Sequence, residues 1–172
     1  MTQPAHPDAV PPPWPLRAIE TYYNGHHFRS RLEARWAVFM DALNLGYRYE
    51  AEGYELDGLH YLPDFYIPAW DAFLEVKPLL PDDGAILKAM RLARASTRRV
   101  FMLIGEARPA GYDVWRWGLT LRSGVVWNPG LVWCACAQHG VQLHPWPAFA
   151  DDEHRIEEAF CQAAEIRFEF RR

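Results

Sequence analysis

The sequence predicts an α/β protein in which a mixed central sheet is flanked by helices and followed by a β-rich C-terminal extension and a terminal helix. Segments whose apolar residues recur at helical spacing alternate with short runs that are typical of strands. The chain has 172 residues, half of them hydrophobic and 15% aromatic, which is enough to bury one sizeable core. We therefore expect a single main domain.

The first helix is predicted over residues 30–45, because apolar side chains from Leu32 to Leu43 recur every three or four positions and Gly46 follows. Three strands are expected next, in GYRYEAEGYEL (46–56), HYLPDFYIP (60–68) and AFLEVKP (72–78). The last two are expected to form a hairpin around a short loop at residues 69–71.

A second helix is predicted in AILKAMRLARAS, with its start at Pro81–Asp83, and RVFMLIG reads as a buried strand. The order of elements is then α, β, β, β, α, β. Beyond residue 109, alternating residues and Ser-Gly and Asn-Pro-Gly turns indicate further strands. The terminal helix is expected to place its apolar residues on one face and to bury the Cys161 thiol; these apolar residues are Ile156, Phe160, Ala163 and Ala164.

Composition divides the chain and limits its class. Residues 1–20 are proline-rich and predict an extended, disordered tail, residues 21–108 the core, and residues 109–172 an extension that packs on it. Apolar runs are too short to cross a bilayer and no signal peptide is recognisable, so we expect a cytoplasmic protein. A net charge of −4 argues against strong nonspecific nucleic-acid binding by the whole chain, although one basic face remains compatible with it.

Three charges interrupt the apolar stretch YLPDFYIPAWDAFLEVKP, namely Asp64, Glu75 and Lys77. In the expected hairpin Asp64 lies opposite Glu75 or Lys77, depending on the register, and Glu75 and Lys77 share one face. Two carboxylates about 5 Å apart repel by roughly 3 kcal/mol at an effective dielectric of about 20. A hard divalent cation such as Mg²⁺ offsets that repulsion, and Lys77 beside it suits phosphodiester hydrolysis. An ordinary polar face of an edge strand is the simpler alternative.

These residues resemble the motif of the PD-(D/E)XK nuclease superfamily, at Pro63-Asp64 and Glu75-Val76-Lys77, and FRSRLEARW with Glu33 resembles the helix that supplies a further acidic ligand. Small endonucleases of phages and mobile elements are the most similar members. The resemblance implies a restriction-endonuclease-like αβββαβ core and cleavage of DNA with Mg²⁺, for which Mn²⁺ substitutes. It also implies that Glu33, Asp64, Glu75 and the Val76 carbonyl bind the metal and that Lys77 is the catalytic base or orients the water.

Glu33 has an alternative structural role, and basic residues near the motif are candidates for DNA binding. Ser30-Arg31-Leu32-Glu33 also fits a capping box, in which Glu33 reaches back to the Ser30 amide. Basic residues near the motif could contact DNA, although charged helix faces are usually only solvated; the candidates are Arg29, Arg31, Arg35, Lys88 and Arg91. The expected partners are DNA and either a second copy of the chain or another protein.

The segment WCACAQHGVQLH carries a candidate structural zinc site. Two thiols and two imidazoles would satisfy tetrahedral Zn²⁺, although Cys-x-Cys spacing equally suits small core residues; the four are Cys134, Cys136, His139 and His144. The main alternatives to a DNA endonuclease are a nuclease-like module that binds DNA or a partner without turnover, and a nuclease acting on RNA or branched DNA.

Overall fold

A computed structural model describes residues 18–108, 112–117, 119–120, 124–125, 131–136, 140–145 and 153–168. Side chains are described for residues 18–108, 143 and 154–168. The predicted tail over residues 1–20 thus falls almost wholly outside the described residues. None of the helices in the described part of the chain is long and apolar enough to cross a membrane.

The described segments form three helices and thirteen short strands. In chain order these are β1 (Thr21–Tyr23), β2 (His26–Phe28), α1 (Arg31–Ala42), β3 (Arg48–Tyr49), β4 (Tyr54–Leu56), β5 (Leu59–Tyr61), β6 (Phe65–Ile67), β7 (Ala72–Lys77), α2 (Asp83–Ser96), β8 (Arg99–Gly105), β9 (Tyr112–Trp117), β10 (Leu119–Thr120), β11 (Gly124–Val125), β12 (Leu131–Cys136), β13 (Gly140–Pro145) and α3 (Glu153–Glu165).

Five strands form a mixed sheet in the order β3-β6-β7-β8-β9. Strands β7 and β8 are parallel, with α2 as their connection, and the other neighbours are antiparallel. The predicted α/β class with a mixed sheet is confirmed. The hairpin of β6 and β7 is confirmed as well, with a 3₁₀ turn at Pro68–Trp70 and Asp71 in the left-handed region between the strands.

The first and second predicted strands, over residues 46–56 and 60–68, differ from the structure in one respect. A separate hairpin of β4 and β5 interrupts both, because Asp57 and Gly58 adopt the positive φ values of 51° and 81° that a tight two-residue hairpin turn needs. Pro63, which lacks an N–H, then separates β5 from β6. The stretch 46–56 therefore contains two short strands, and so does 60–68.

Each face of the sheet buries its own apolar cluster. Leu74 and Val76 of β7 pack with α1 and α3, whereas Phe73 packs with α2 and with Tyr54 and Tyr61 of the β4–β5 hairpin. Because strand side chains alternate, Glu75 and Lys77 lie on the same face as Phe73. Glu75 and Lys77 therefore lie on the face that the β4–β5 hairpin and α2 cover, whereas α1, which carries Glu33, packs on the other face.

Helix α1 begins where the apolar spacing predicts, with the Ser30 hydroxyl accepting from the Glu33 N–H at 3.1 Å. Helix α3 packs against α1 through Phe160, whose ring centroid lies 4.4 Å from that of Phe39. Two predictions for α3 are wrong. Ala164 is exposed, its place on the buried face being taken by Ala159, and Cys161 is exposed because the helix turns it away from α1.

Candidate functional site

The pairing of β6 with β7 decides which charged residue faces Asp64. Phe65 pairs with Leu74, so continuing the antiparallel register by one residue places Asp64 opposite Glu75. The Asp64 N–H donates to Glu75 Oε1 at 3.2 Å, which agrees with that register. The structure thus selects Glu75 from the two partners that the sequence left open.

The Asp64 carboxylate is buried and accepts two hydrogen bonds. Its Oδ2 accepts from the Val76 N–H at 2.8 Å and its Oδ1 from Arg29 Nη2 at 2.8 Å. Burial raises the pKa of Asp64 well above its ordinary value, and the charges of Glu75 and Glu33 raise it further, against the opposing effect of Lys77. Negative charge is therefore concentrated around Asp64.

Glu75 is the most deeply buried carboxylate of the group, with 1% of its side chain exposed. Its Oε2 accepts from Lys77 Nζ at 3.0 Å. Burial acts to lower the pKa of Lys77, but the charges of Glu75 and Asp64 outweigh it and raise that pKa. Lys77 is therefore a cation at neutral pH, and 28% of its side chain reaches solvent.

The backbone of Val76 also faces this group. In a strand the N–H and C=O of one residue face the same neighbouring strand, so the Val76 carbonyl lies on the side where its N–H meets Asp64. Pro63 precedes β6, and extending the β6–β7 register by two residues would place it opposite Val76. Because proline has no N–H, Pro63 cannot donate to that carbonyl. Pro63 thus leaves the Val76 carbonyl, an expected metal ligand, without a backbone donor from that position.

Glu33 lies in the first turn of α1, close enough to the pair for its charge to raise the pKa of Asp64. Its Oε1 accepts from the Ser30 hydroxyl at 2.7 Å and its Oε2 from the Tyr49 hydroxyl at 2.6 Å. The Ser30 cap is therefore present, and the carboxylate is held by two hydroxyl groups. Glu33 therefore contacts the Ser30 hydroxyl and not the Ser30 amide that a capping box uses, and its charge still lies close to Asp64.

The five basic candidates for DNA contact have different surroundings. Arg29 hydrogen-bonds Asp64 and forms an ion pair with Glu50, and Arg35 donates to the Ala163 and Ala164 carbonyls, as a cap on the C-terminus of α3. On α2, Arg91 pairs with Asp57 at 3.5 Å and Lys88 is exposed. Arg31 is half-buried at the start of α1. Arg29 bonds a carboxylate of the site directly.

The candidate zinc ligands cannot be placed in the same way. Strands β12 and β13 form an antiparallel hairpin in which Cys134 pairs with Gln142 and His144 pairs with Val132. His139 and the side chains of the other three lie outside the described residues.

The positions of the carboxylates show whether the described residues could hold a divalent metal ion. Among the side chains that the structure describes, no three or more His, Cys, Asp or Glu are arranged to hold a metal ion. Mg²⁺, however, is usually held by one or two carboxylates and water molecules, and its preferred ligands are oxygens. The adjacent Asp64 and Glu75, with the Val76 carbonyl, fit that requirement in ligand type and number. Glu33 would have to leave its hydroxyl partners to join them.

Sequence reasoning did not identify two tyrosines and a glutamate at this site. Burial raises the pKa of Tyr61, as do the charge of Glu75 and the hydrogen bond to its side chain. Tyr49 joins Glu33 to the Arg29 N–H, and Glu50 joins the Arg29 guanidinium. The available signal for Tyr61 was its position three residues before Asp64 in HYLPD. Comparison of the chain with protein-family models, curated proteins and solved structures finds no significant match.

Proposed function

We propose that this protein is a Mg²⁺-dependent endonuclease that hydrolyses phosphodiester bonds in DNA. The observation that carries the proposal is the adjacent pair Asp64 and Glu75 with Lys77, buried at the sheet and joined by direct hydrogen bonds. Buried carboxylates are unfavourable unless a charge partner or a metal compensates them. A cluster of buried carboxylates with a raised pKa, at the open end of the β6–β7 hairpin, is a functional-site candidate on physical grounds.

The arrangement of the elements supports the same proposal. Helix α1, strands β3, β6 and β7, helix α2 and strand β8 follow each other in the αβββαβ order that the resemblance to PD-(D/E)XK nucleases implies, with the β4–β5 hairpin inserted. The motif residues then lie directly before β6, on β7 and at the start of α1. We infer a restriction-endonuclease-like core from this agreement.

The residues would divide the work as follows. Asp64, Glu75 and the Val76 carbonyl would hold the metal, which supplies charge neutralisation and polarises the phosphate and the attacking water. Lys77 has a raised pKa, so its ammonium group orients the water and stabilises negative charge on the phosphate oxygens. In the metal-free protein this direction of the pKa keeps Lys77 protonated, as an electrostatic role requires.

A binding module without turnover is the second candidate, and one observation favours it. Each carboxylate oxygen of Asp64, Glu75 and Glu33 accepts a hydrogen bond from the protein itself. Carboxylates whose oxygens all accept hydrogen bonds need no metal to be stable when buried. A purely structural or binding role would require such stability without a metal.

The test is incubation of wild type and Lys77→Ala with plasmid, single-stranded and branched DNA and with RNA, each with and without Mg²⁺. The proposal expects Mg²⁺-dependent cleavage of DNA by wild type and its loss in Lys77→Ala. Binding without cleavage on every substrate would favour the binding module. Cleavage restricted to RNA or branched DNA would change the substrate, and equal cleavage by both proteins would remove Lys77 from the mechanism.

A further inference from the structure

The guanidinium group of Arg29 contacts the site from outside the motif. Its Nη2 lies 2.8 Å from Asp64 Oδ1 and its Nε lies 2.5 Å from Glu50 Oε1. Only 5% of the Asp64 side chain is exposed, whereas 54% of the Arg29 side chain is. Arg29 therefore reaches from the surface to an oxygen of the buried carboxylate.

The Arg29 guanidinium occupies a position beside Asp64 in which a bound metal cation would also neutralise the carboxylate. Asp64 has one oxygen on the Val76 N–H and the other on Arg29, whose positive charge lies beside the carboxylates of Asp64 and Glu50. A planar guanidinium can bond two carboxylates at once, which suits it to join Asp64 and Glu50. Arg29 and a metal cannot both use Asp64 Oδ1 freely, since like charges close together repel.

We propose that Arg29 is an internal substitute for the cation, which neutralises Asp64 in the metal-free protein and must leave Asp64 before a divalent metal can bind there. This inference rests on the proposed function, because it concerns the same carboxylates. The exposed stem of Arg29 allows the side chain to move without unfolding the core, as the backbone N–H of Arg29 is fixed separately by the Tyr49 hydroxyl at 2.9 Å. The displaced guanidinium is then free to contact a substrate phosphate next to the metal.

The inference predicts how Arg29→Gln changes metal affinity. Loss of the competing cation should lower the dissociation constant for Mg²⁺ by about tenfold, the effect of a charge-assisted hydrogen bond. The same variant should melt at a lower temperature than wild type without metal and gain more from Mg²⁺. Calorimetric titration with MgCl₂ and thermal unfolding measure the two effects without any cleavage assay.

Arg108→Gln is the matched control, because Arg108 is an exposed arginine paired with Glu106 at 3.5 Å and far along the chain from Asp64. It should bind Mg²⁺ as wild type does. If Arg29→Gln does not fold, Arg29→Lys decides the question. A lysine keeps the charge but cannot bond both carboxylates through a rigid fork, so Mg²⁺ should bind more tightly than in wild type.

The outcomes separate this inference from the proposed function. Mg²⁺ binding by wild type with equal or weaker binding by the folded Arg29 variants would overturn the role of Arg29 and leave the nuclease proposal intact. Mg²⁺ binding by Arg29→Gln alone would support that role and indicate that Arg29 prevents Mg²⁺ from binding to wild type. Absence of Mg²⁺ binding in every protein would overturn both.

Discussion

The two ends of the β6–β7 hairpin each carry an aspartate beside an arginine, and burial gives the two aspartates opposite properties. Asp71, at the turn, is 68% exposed and bonds Arg98 Nε at 2.7 Å and the Tyr66 hydroxyl at 2.9 Å. The Tyr66 hydrogen bond lowers the pKa of Asp71, and Arg98 lowers it further. Asp64, at the open end, is buried and has a raised pKa.

The difference lies in the number and placement of charges. At the turn one exposed carboxylate meets a cation, and water screens the pair, so its contribution to stability is small. At the open end, the buried Asp64 lies beside Glu75 and near Glu33, and acidic groups repel one another there. A folded protein keeps such an arrangement at a cost in stability, which is a reason to assign it a function. The turn needs no function to explain it.

The largest expected effect is that of Asp64→Asn on cleavage. Loss of this ligand should reduce Mg²⁺-dependent cleavage by at least about a thousandfold, because a metal supplies several kcal/mol of transition-state stabilisation. It should also abolish the stabilisation of the fold by Mg²⁺. Cleavage rates and melting temperatures measured across a Mg²⁺ titration test both.

Asp71→Asn is the matched variant at the other end of the hairpin. It removes a carboxylate that also bonds an arginine and a tyrosine, so it controls for the loss of an ion pair. Cleavage and the Mg²⁺ effect should stay as in wild type. Equal loss of cleavage in the two variants would show that the two ends do not differ in function.

Short-range patterns account for what could be predicted of the fold. Apolar spacing located α1 and α2, and the uninterrupted run RVFMLIG located β8. The β4–β5 hairpin was missed although Asp57-Gly58 lies between alternating apolar residues, a strong signal for a tight turn. Turn chemistry outweighed the strand propensity of the surrounding stretch.

The site was predictable only where contacts follow from strand pairing. Asp64 and Glu75 face each other because a hairpin brings them together, and the proximity of Lys77 follows from alternation. The bond between Arg29 and Asp64 joins residues 35 positions apart, the first just before α1 and the second just before β6. Such a contact depends on how α1 packs on the sheet, which no local pattern in the sequence specifies.

Glu33→Gln should have the second-largest effect. An amide can still accept from the Ser30 or Tyr49 hydroxyl, so the fold should be retained, but the loss of negative charge weakens binding of a hard cation. We expect cleavage to fall by about a hundredfold at limiting Mg²⁺. Steady-state rates over a Mg²⁺ titration measure this change.

Ser30→Ala is the companion variant, because it removes the helix cap and leaves the Glu33 charge in place. It should cost about 1 kcal/mol of unfolding free energy and remain active. Wild-type turnover by Glu33→Gln throughout the titration would reduce Glu33 to a structural residue, comparable to Asp71.

The two aspartates should also differ in how they make stability depend on pH. The raised pKa of Asp64 means that the folded protein binds this proton more tightly than the unfolded chain does. Its stabilising effect is therefore complete below the ordinary carboxyl pKa of about 3.9 and is lost as pH rises through the raised value. Urea unfolding in EDTA should show this loss in wild type and a smaller one in Asp64→Asn.

Asp71 has the opposite sign, since its pKa is lowered. Its contribution is present above the ordinary carboxyl pKa and is lost as pH falls below it. Asp71→Asn should therefore leave the wild-type slope between pH 5 and pH 8 unchanged. If the unfolding free energy of Asp64→Asn falls as steeply with rising pH as that of wild type, a group other than Asp64 causes the loss.

The smallest expected effect concerns two tyrosines of the β4–β5 hairpin. Tyr61 hydrogen-bonds the buried Glu75, whereas the Tyr54 hydroxyl bonds Glu52 Oε2 at 2.8 Å near the surface. Tyr61→Phe leaves a buried acceptor with one donor fewer and should cost about 1.5 kcal/mol of unfolding free energy. Tyr54→Phe should cost less than about 0.5 kcal/mol, because water replaces the lost partner. Urea unfolding of both variants in EDTA measures the difference, and equal costs would mean that Glu75 does not depend on the hairpin for its hydrogen bonds.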